Sequence, residues 1–298
     1  MFPAMCHARA VGFFLLLAAC WTGFAQGGNL DPSFKPSPND QIYALQALAD
    51  GRLLVGGRHY GIAGGFQPYI SRLLPDGSLD PEFTSPFPAL TTGPVTAIAF
   101  APDGKIIVAG QLSLSEPVSC HTVMRLDASG VLDTNFVANT DQLWLANAVG
   151  VQPNGKVVVA SYLTGYPGVV RLNNDGSLDQ TFSCSLPPGG YAVLSLPDST
   201  TLIGGTYGLV RVLDNGAVDT FVDVHGAVCA IVQQPNGKFV IVGDFDAVGG
   251  QRRPRLARID IDGTLDQAFD PPIGPDAWVS TVALQADGKI VAGGSFTK

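Results

Sequence analysis

The sequence predicts an all-β protein: a β-propeller of tandem four-stranded blades, about five complete and a sixth partial, behind an N-terminal signal peptide. Three observations predict it. A pair of phrases recurs along the chain, each recurrence carries two Asp/Asn-Gly turns, and the turns are flanked by β-branched apolar runs too short for helices.

The first residues stand apart from the rest. Arg9 precedes an apolar run from Val11 to Cys20, and Gly23-Phe24-Ala25 then supplies small residues before Gln26. This is the layout of a secretory signal over residues 1–25, cleaved after Ala25. Leu17-Ala18-Ala19-Cys20 offers an alternative, a lipobox in which Cys20 is lipidated, although Trp21 is an unusual follower. No later run approaches the ~20 apolar residues of a spanning helix.

From residue 29 onward the repeat takes over. One phrase reads Leu48-Ala49-Asp50-Gly51-Arg52-Leu53-Leu54-Val55-Gly56-Gly57, and it returns around Asp103-Gly104-Lys105, Asn154-Gly155-Lys156, Asn236-Gly237-Lys238 and Asp287-Gly288-Lys289. A degenerate copy sits at Asp198-Ser199-Thr200. The second phrase reads Arg72-Leu73, Asp76-Gly77-Ser78-Leu79-Asp80, Phe83, with copies ending at Phe136, Phe182, Phe221 and Phe269. An orphan tail from Asn29 to Phe34 opens the array. Successive tail aspartates (Asp31, Asp80, Asp133, Asp179, Asp219, Asp266) are separated by 49, 53, 46, 40 and 47 residues. The repeats so defined run 29–83, 84–136, 137–182, 183–221, 222–269 and, incomplete, 270–298.

Each Asp/Asn-Gly step suits a type I turn followed by a left-handed glycine, which closes a short hairpin. Two hairpins per period give four strands, and a four-stranded sheet at this period is a propeller blade. A column of small residues, Ala44, Ala97, Ala148, Ala192 and Ala230 with Thr281 last, suits inner strands crowded near an axis. A second column pairs Arg72 with Asp80, Arg125 with Asp133, Arg171 with Asp179, Arg211 with Asp219 and Arg258 with Asp266, eight residues apart each time. Across a tight hairpin that spacing sets the two side chains opposite one another. Five copies speak for a structural ion pair rather than catalysis.

Composition excludes several classes. Charged residues make up only 14% of the 298, net charge is −8, and the one basic cluster is Arg252, Arg253 and Arg255. Phosphate backbones demand a concentrated cationic footprint, so nucleic acid is not an expected partner. After the signal, Cys120, Cys184 and Cys229 remain. An odd number without C-x-x-C spacing gives no disulfide framework or metal knuckle. Cys229 reads as a small buried apolar residue, and a Cys120–Cys184 bridge is left open.

The pattern P-D-G-K-I-x-V-G-G followed by R-L-x-x-D-G-S-L-D-x-x-F resembles the bacterial delta-60 repeat, a propeller-type repeat of large secreted and surface proteins. That resemblance spans nearly all of the chain from Asn29. It implies a propeller of no established chemistry and carries over no catalytic residue. The fourth copy departs from it, lacking the Gly-Lys turn and having the shortest tail, so distortion is expected there. The sixth copy stops at Lys298 before its Arg-Leu phrase, which reads as truncation of a longer array, with a six-bladed closure as the alternative.

No catalytic constellation emerges. Asp260-Ile261-Asp262-Gly263 has carboxylates two apart, as calcium loops do, but the third ligand and the closing Glu are missing. No cofactor is therefore expected, and calcium is a minor alternative. His59, His121 and His225 fall outside the repeat columns, with His59 and His121 read as solvent-facing loop residues. Glu116, Asp244 and Asp246 are the non-repeated acids in the connections between second and third strands. Asp246 with Arg252, Arg253 and Arg255 forms the most distinctive loop, expected as a ligand-contact surface. The function expected is a non-catalytic secreted or cell-surface scaffold that binds a protein or carbohydrate. The alternative is an extracellular polysaccharide-acting hydrolase or lyase, with its carboxylates drawn from separate blades.

Overall fold

A computed structural model of the chain describes residues 31–87, 93–113, 120–138, 145–161, 167–271 and 274–297, without the side chains of Ser113, Cys120 and His121. The signal over residues 1–25, the Cys20 alternative and Glu116 lie outside the described residues. Within them the chain is all strand and turn, and no helix is long and apolar enough to cross a membrane.

The strands form successive antiparallel sheets. The first blade is β1 (Ile42–Ala47), β2 (Leu53–Gly57), a small outlying hairpin of β3 (Gly61–Ile62) with β4 (Gly65–Phe66), and β5 (Ile70–Leu73). The second is β6 (Val95–Phe100), β7 (Ile106–Ser113) and β8 (Cys120–Leu126). The third is β9 (Ala146–Val151), β10 (Val157–Ser161) and β11 (Val169–Leu172). The fourth is β12 (Gly190–Ser195), β13 (Thr201–Gly205), β14 (Gly208–Val212) and β15 (Val218–Val222). The fifth is β16 (Val224–Gln233), β17 (Phe239–Val248), β18 (Gln251–Arg252) and β19 (Leu256–Ile259). Last come β20 (Val279–Leu284) and β21 (Ile290–Gly294).

The first strand of each sheet packs on the next, in the order β1, β6, β9, β12, β16, β20, and among the described residues no comparable packing joins β20 to β1. The core lies between blades. Ile106 and Val108 pack with Leu54 and Ile70 of the preceding blade. Ile107 and Ala109 turn the other way, onto Val149 and Val157 of the following one. A strand buried on both faces has no polar side, which is why Ile106 to Ala109 is continuously apolar. Each such Val, Leu or Ile contributes about 1.5–3 kcal/mol through burial.

The first turn of each blade follows its sequence. In the second blade Ala101 N–H donates to Lys105 O (2.9 Å) and Gly104 N–H to Ala101 O (2.9 Å), with Gly104 at φ +82°.

The inner strands also share a feature that the sequence did not announce. One residue is bulged out of each first hairpin: Tyr43, Thr96, Asn147, Tyr191, Cys229 and Ser280, each one place before the small-residue column. A bulge adds an unpaired residue and sharpens the local twist. Several of these side chains reach the next blade. Thr96 Oγ1 donates to Ala146 O (2.5 Å), Asn147 Nδ2 to Gly190 O (3.5 Å), and Trp278 Nε1 to Cys229 Sγ (3.2 Å). Cys229 is thus a half-buried junction residue rather than a fully buried apolar one.

The expected fourth strand is mostly reduced to one bridge: Leu73↔Leu79, Leu126↔Leu132, Leu172↔Leu178 and Ile259↔Leu265. The tail aspartate is the cause. Asp80 Oδ1 accepts the Glu82 N–H (2.9 Å) and Asp80 O the Phe83 N–H (3.2 Å), which turns the chain off the ladder. In the fourth copy Asp219 and Phe221 are one residue closer, that turn does not fit, and the chain continues as β15 past a register shift at Leu209/Arg211. The copy expected to be distorted thus has a full outer strand where the others have a single bridge.

Candidate functional site

The five Arg–Asp pairs all form. Nε donates to Oδ2 at 2.7 Å in Arg72–Asp80, 2.8 Å in Arg125–Asp133, 2.8 Å in Arg171–Asp179, 3.1 Å in Arg211–Asp219 and 2.7 Å in Arg258–Asp266. The pair is one part of a larger cluster. A second cation comes from the first turn of the same blade: Arg52 reaches Asp80 (3.1 Å), Lys105 reaches Asp133 (2.8 Å), Lys156 reaches Asp179 (2.8 Å) and Lys238 reaches Asp266 (2.7 Å). The closing phenylalanine lies beneath each guanidinium, with centroid distances from 4.6 Å (Arg258–Phe269) to 5.2 Å (Arg211–Phe221). Cation–π attraction is strongest where water is excluded, and these sites are mostly buried. The Asp133 carboxyl is held down to about 2, chiefly by the Lys105 hydrogen bond, against the opposing effect of burial. Asp266 sits at about 2 for the same reason, through Lys238.

The guanidinium also ties one blade to the next. Arg72 Nη1 donates to Ala128 O, Arg125 Nη1 to Asn174 O (2.6 Å) and Arg171 Nη1 to the Asp214 carboxylate. Each acceptor lies on the outer turn of the following blade. The chain after the phenylalanine docks on that turn too, with Thr84 N–H donating to Ser129 O (2.9 Å) and Val137 N–H to Asp175 O (2.9 Å). The orphan tail makes the same kind of contact: Phe34 is buried against Gly77, as Phe83 is against Gly130. The repeated Lys, Arg, Asp and Phe columns are one structural unit, and sequence spacing revealed only its Arg–Asp half.

Removed from the columns, the fifth blade carries a longer finger. Its β16 and β17 run ten residues each, pairing as far as Val224↔Val248. The arginines of the predicted contact loop are there but do not converge. Arg252 is exposed on β18. Arg253 bends back to Gln267 (3.5 Å) and Asp270 (3.5 Å). Arg255, at φ +64°, donates to Pro275 O (3.2 Å) and lies 3.8 Å from Asp244. Asp246 pairs instead with His225, Nδ1 to Oδ1 at 2.6 Å. That contact raises the histidine's pKa and lowers the carboxyl's. Both are largely exposed, 80% and 69%. His225 lies 21 residues from Asp246 and outside the repeat, so only strand register brings them together.

His59 is not solvent-facing. It is fully buried, its Nε2 is 2.8 Å from Ser71 Oγ, and burial depresses its pKa to about 4. Cys184 is a free thiol, and the Cys120 side chain lies outside the described residues. The suspected calcium carboxylates are occupied: Asp262 Oδ1 accepts from Thr264 N–H (2.9 Å) and hydroxyl (2.7 Å), and Asp260 pairs with Lys238 (2.8 Å). Among the described residues no three His, Cys, Asp or Glu gather as metal ligands.

At the end of the inner strands that carries the first turns, a pocket of about 350 Å³ opens between the second to fifth blades. Its wall is Phe100, Pro102, Val151, Pro153, Leu196 and Pro197, with Gln152, Ser195 and Gln233 as polar members. Among the described residues no ionisable side chain lines it.

The family model described as domain of unknown function (DUF5122) beta-propeller matches residues 48–83, 101–136, 152–182, 234–269 and 285–298. The chain belongs to the DUF5122 β-propeller family. A WD domain, G-beta repeat model also matches residues 84–115. The expected delta-60 repeat is therefore met at the level of a β-propeller repeat family. The fourth copy, with its altered turn and tail, is skipped by the DUF5122 matches. No curated protein matches. Solved structures share the fold at low identity. The extracellular domain of BT3049 from B. thetaiotaomicron is 12% identical with a TM-score of 0.61 over 89% of this chain, which spans only 34% of that one. Virginiamycin B lyase from Staphylococcus aureus is 12% identical with a TM-score of 0.54, covering 86% of this chain and 85% of that one. The WD40 propeller domain of Doa1 gives 18% and 0.53 over 86% and 76%.

Proposed function

We propose that this DUF5122 propeller is a non-catalytic, secreted or surface-displayed array of about five blades and a partial sixth that binds an extracellular carbohydrate or protein through the finger of its fifth blade. One observation carries the reading: the pocket at the first turns of the second to fifth blades is walled by prolines and apolar ends of repeated strands, with no acid or base among the described residues that line it. The repeated aspartates are likewise committed to turns and ion pairs. The finger, by contrast, breaks the repeat, projects beyond its neighbours' pairing and exposes Asp246, His225 and Arg252. Connections on a rigid scaffold are where binding residues concentrate. Export follows from the signal over residues 1–25, with Cys20 lipidation as the anchored form. A glycan array probed with the purified chain and with an Arg252→Glu/Asp246→Arg variant tests it. Hits that the variant loses support the reading, and hits that it keeps remove the finger from it.

A hydrolase or lyase is the second reading, favoured by the His225–Asp246 pair, since a carboxylate-held imidazole is half of an acid–base apparatus. Polysaccharide cleavage abolished by His225→Ala would replace the first reading with this one.

A further inference from the structure

His59 lies in the connection between β2 and β5, and its surroundings fix the place of its proton. The Ser71 hydroxyl donates to Gln67 O (3.1 Å), so its oxygen is left to accept. His59 Nε2, 2.8 Å from that oxygen, therefore carries the imidazole proton. The lone pair is then on Nδ1, which is buried and meets no hydrogen-bond partner among the described residues. A second proton would create a charged donor at Nδ1 with nothing to receive it, and burying such a group is costly.

The charges nearby offer little relief. Asp40, ahead of β1, favours a cation at His59, but it is exposed and screened by solvent. Arg58, the preceding residue, is exposed and of like charge. Arg72, beside Ser71 on β5, points to the other face of the strand, onto Asp80. Tyr60 and Tyr69 are neutral in acid.

The connection closes on His59 itself. Tyr69 N–H donates to His59 O (2.7 Å), and Asn39 Oδ1 accepts from Tyr60 N–H (3.0 Å) and Gly61 N–H (3.1 Å). It also stores strain. Tyr69 at φ +65° and Ala63 at φ +51° are non-glycine residues in the left-handed region, which persists only where the surroundings impose it. While the connection is closed, Ile62 and Tyr69 are each only 2% exposed.

We propose that the stretch from Arg58 to Tyr69 is an acid-released strap: protonation of His59 at Nδ1 frees it from the first blade and uncovers Ile62 and Tyr69. Above pH 6.5 the imidazole is neutral in both forms and the strap stays closed. Below that the open form takes up the proton and opening is favoured, until the closed form also protonates at about pH 4. The strap is separate from the finger of the fifth blade and opens whether or not the finger binds a ligand.

Amide hydrogen exchange of the full chain, corrected at each pH for the intrinsic rate, tests this. Opening at the Tyr60, Gly61 and Tyr69 amides should rise about tenfold per pH unit below 6.5, and about 60-fold between pH 7 and pH 4.5. It should not respond to about 1 M urea, since a local opening exposes little surface. Opening at Phe239 to Val242 in β17 should be rarer at every pH and should grow with urea. His59→Gln, which keeps an N–H donor for Ser71, should abolish the rise at the strap. Identical opening in the strap and β17 means that the whole chain unfolds at once, and overturns the proposal. A rise that begins only below about pH 5, the pattern of carboxylates, overturns it as well. Both outcomes are read on the unaltered chain, so a His59→Gln variant that fails to fold leaves the test intact. A folded variant that keeps the rise also refutes the strap.

Discussion

Removing the same arginine from two different blades should cost very different amounts. In the third blade Arg171 and Asp179 have side chains 3% and 4% exposed, and in the fourth Arg211 and Asp219 are 33% and 41% exposed. Burial works to raise the pKa of Asp179, but hydrogen bonds from Lys156, Thr181 and Arg171 outweigh it and hold the carboxyl well below the usual range. Arg171→Ala removes two charge-assisted hydrogen bonds, one to Asp179 and one that ties it to Asp214 in the next blade, and a cation–π contact over Phe182. Breaking a buried pair from one side costs about 3–5 kcal/mol. Lys156 still compensates Asp179 at 2.8 Å, which places the expected loss near the lower end, about 3 kcal/mol. Arg211→Ala breaks a solvent-screened pair with no lysine beside it, and about 1 kcal/mol or less is expected. Urea denaturation followed by circular dichroism measures both. Equal losses would refute the idea that burial, not the pairing itself, decides the cluster's worth.

Stability should fall in two acid steps. Buried His59 is neutral in the folded state at a pKa of about 4 against 6.5 when unfolded, so its contribution is complete above 6.5 and is lost as pH drops toward 4. The loss approaches about 3 kcal/mol, and His59→Gln should flatten that limb of a stability–pH curve. Asp133 and Asp266, lowered to about 2, contribute above the normal carboxylate range and lose that contribution as pH falls through about 2. An unchanged curve for Lys105→Met below pH 4 would contradict the assignment of Lys105 as the principal cause. Two glycines with nearly equal φ should also differ. Gly104→Ala meets nothing within 4 Å and should cost about 1 kcal/mol of backbone strain. Gly130→Ala places a Cβ 2.2 Å from Thr84 O at a blade junction and should lower the melting temperature far more. Calcium and chelator should leave the melting temperature unmoved, because Asp260 and Asp262 already have Lys238 and Thr264 as partners.

Repetition made most of the architecture legible. Two Asp/Asn-Gly turns per period, continuous apolar runs such as Ile106–Ala109 and the Arg–Asp spacing of eight each follow from local chemistry, and local chemistry is written in adjacent residues. Identical columns, however, hid what they did jointly. Lys156 and Asp179 lie 23 residues apart and Arg171 and Asp214 lie 43 apart, so the cluster and the tie between blades exist only once strands pair and sheets pack. The bulged column escaped notice because Tyr43, Thr96, Asn147, Tyr191, Cys229 and Ser280 share polarity rather than identity. The burial of His59 and the His225–Asp246 contact were likewise set by packing and register. The sequence by itself determined the blade and its turns, because those depend on neighbours along the chain. Tertiary structure alone decided which charges are buried and which blades are tied, because those depend on neighbours in space.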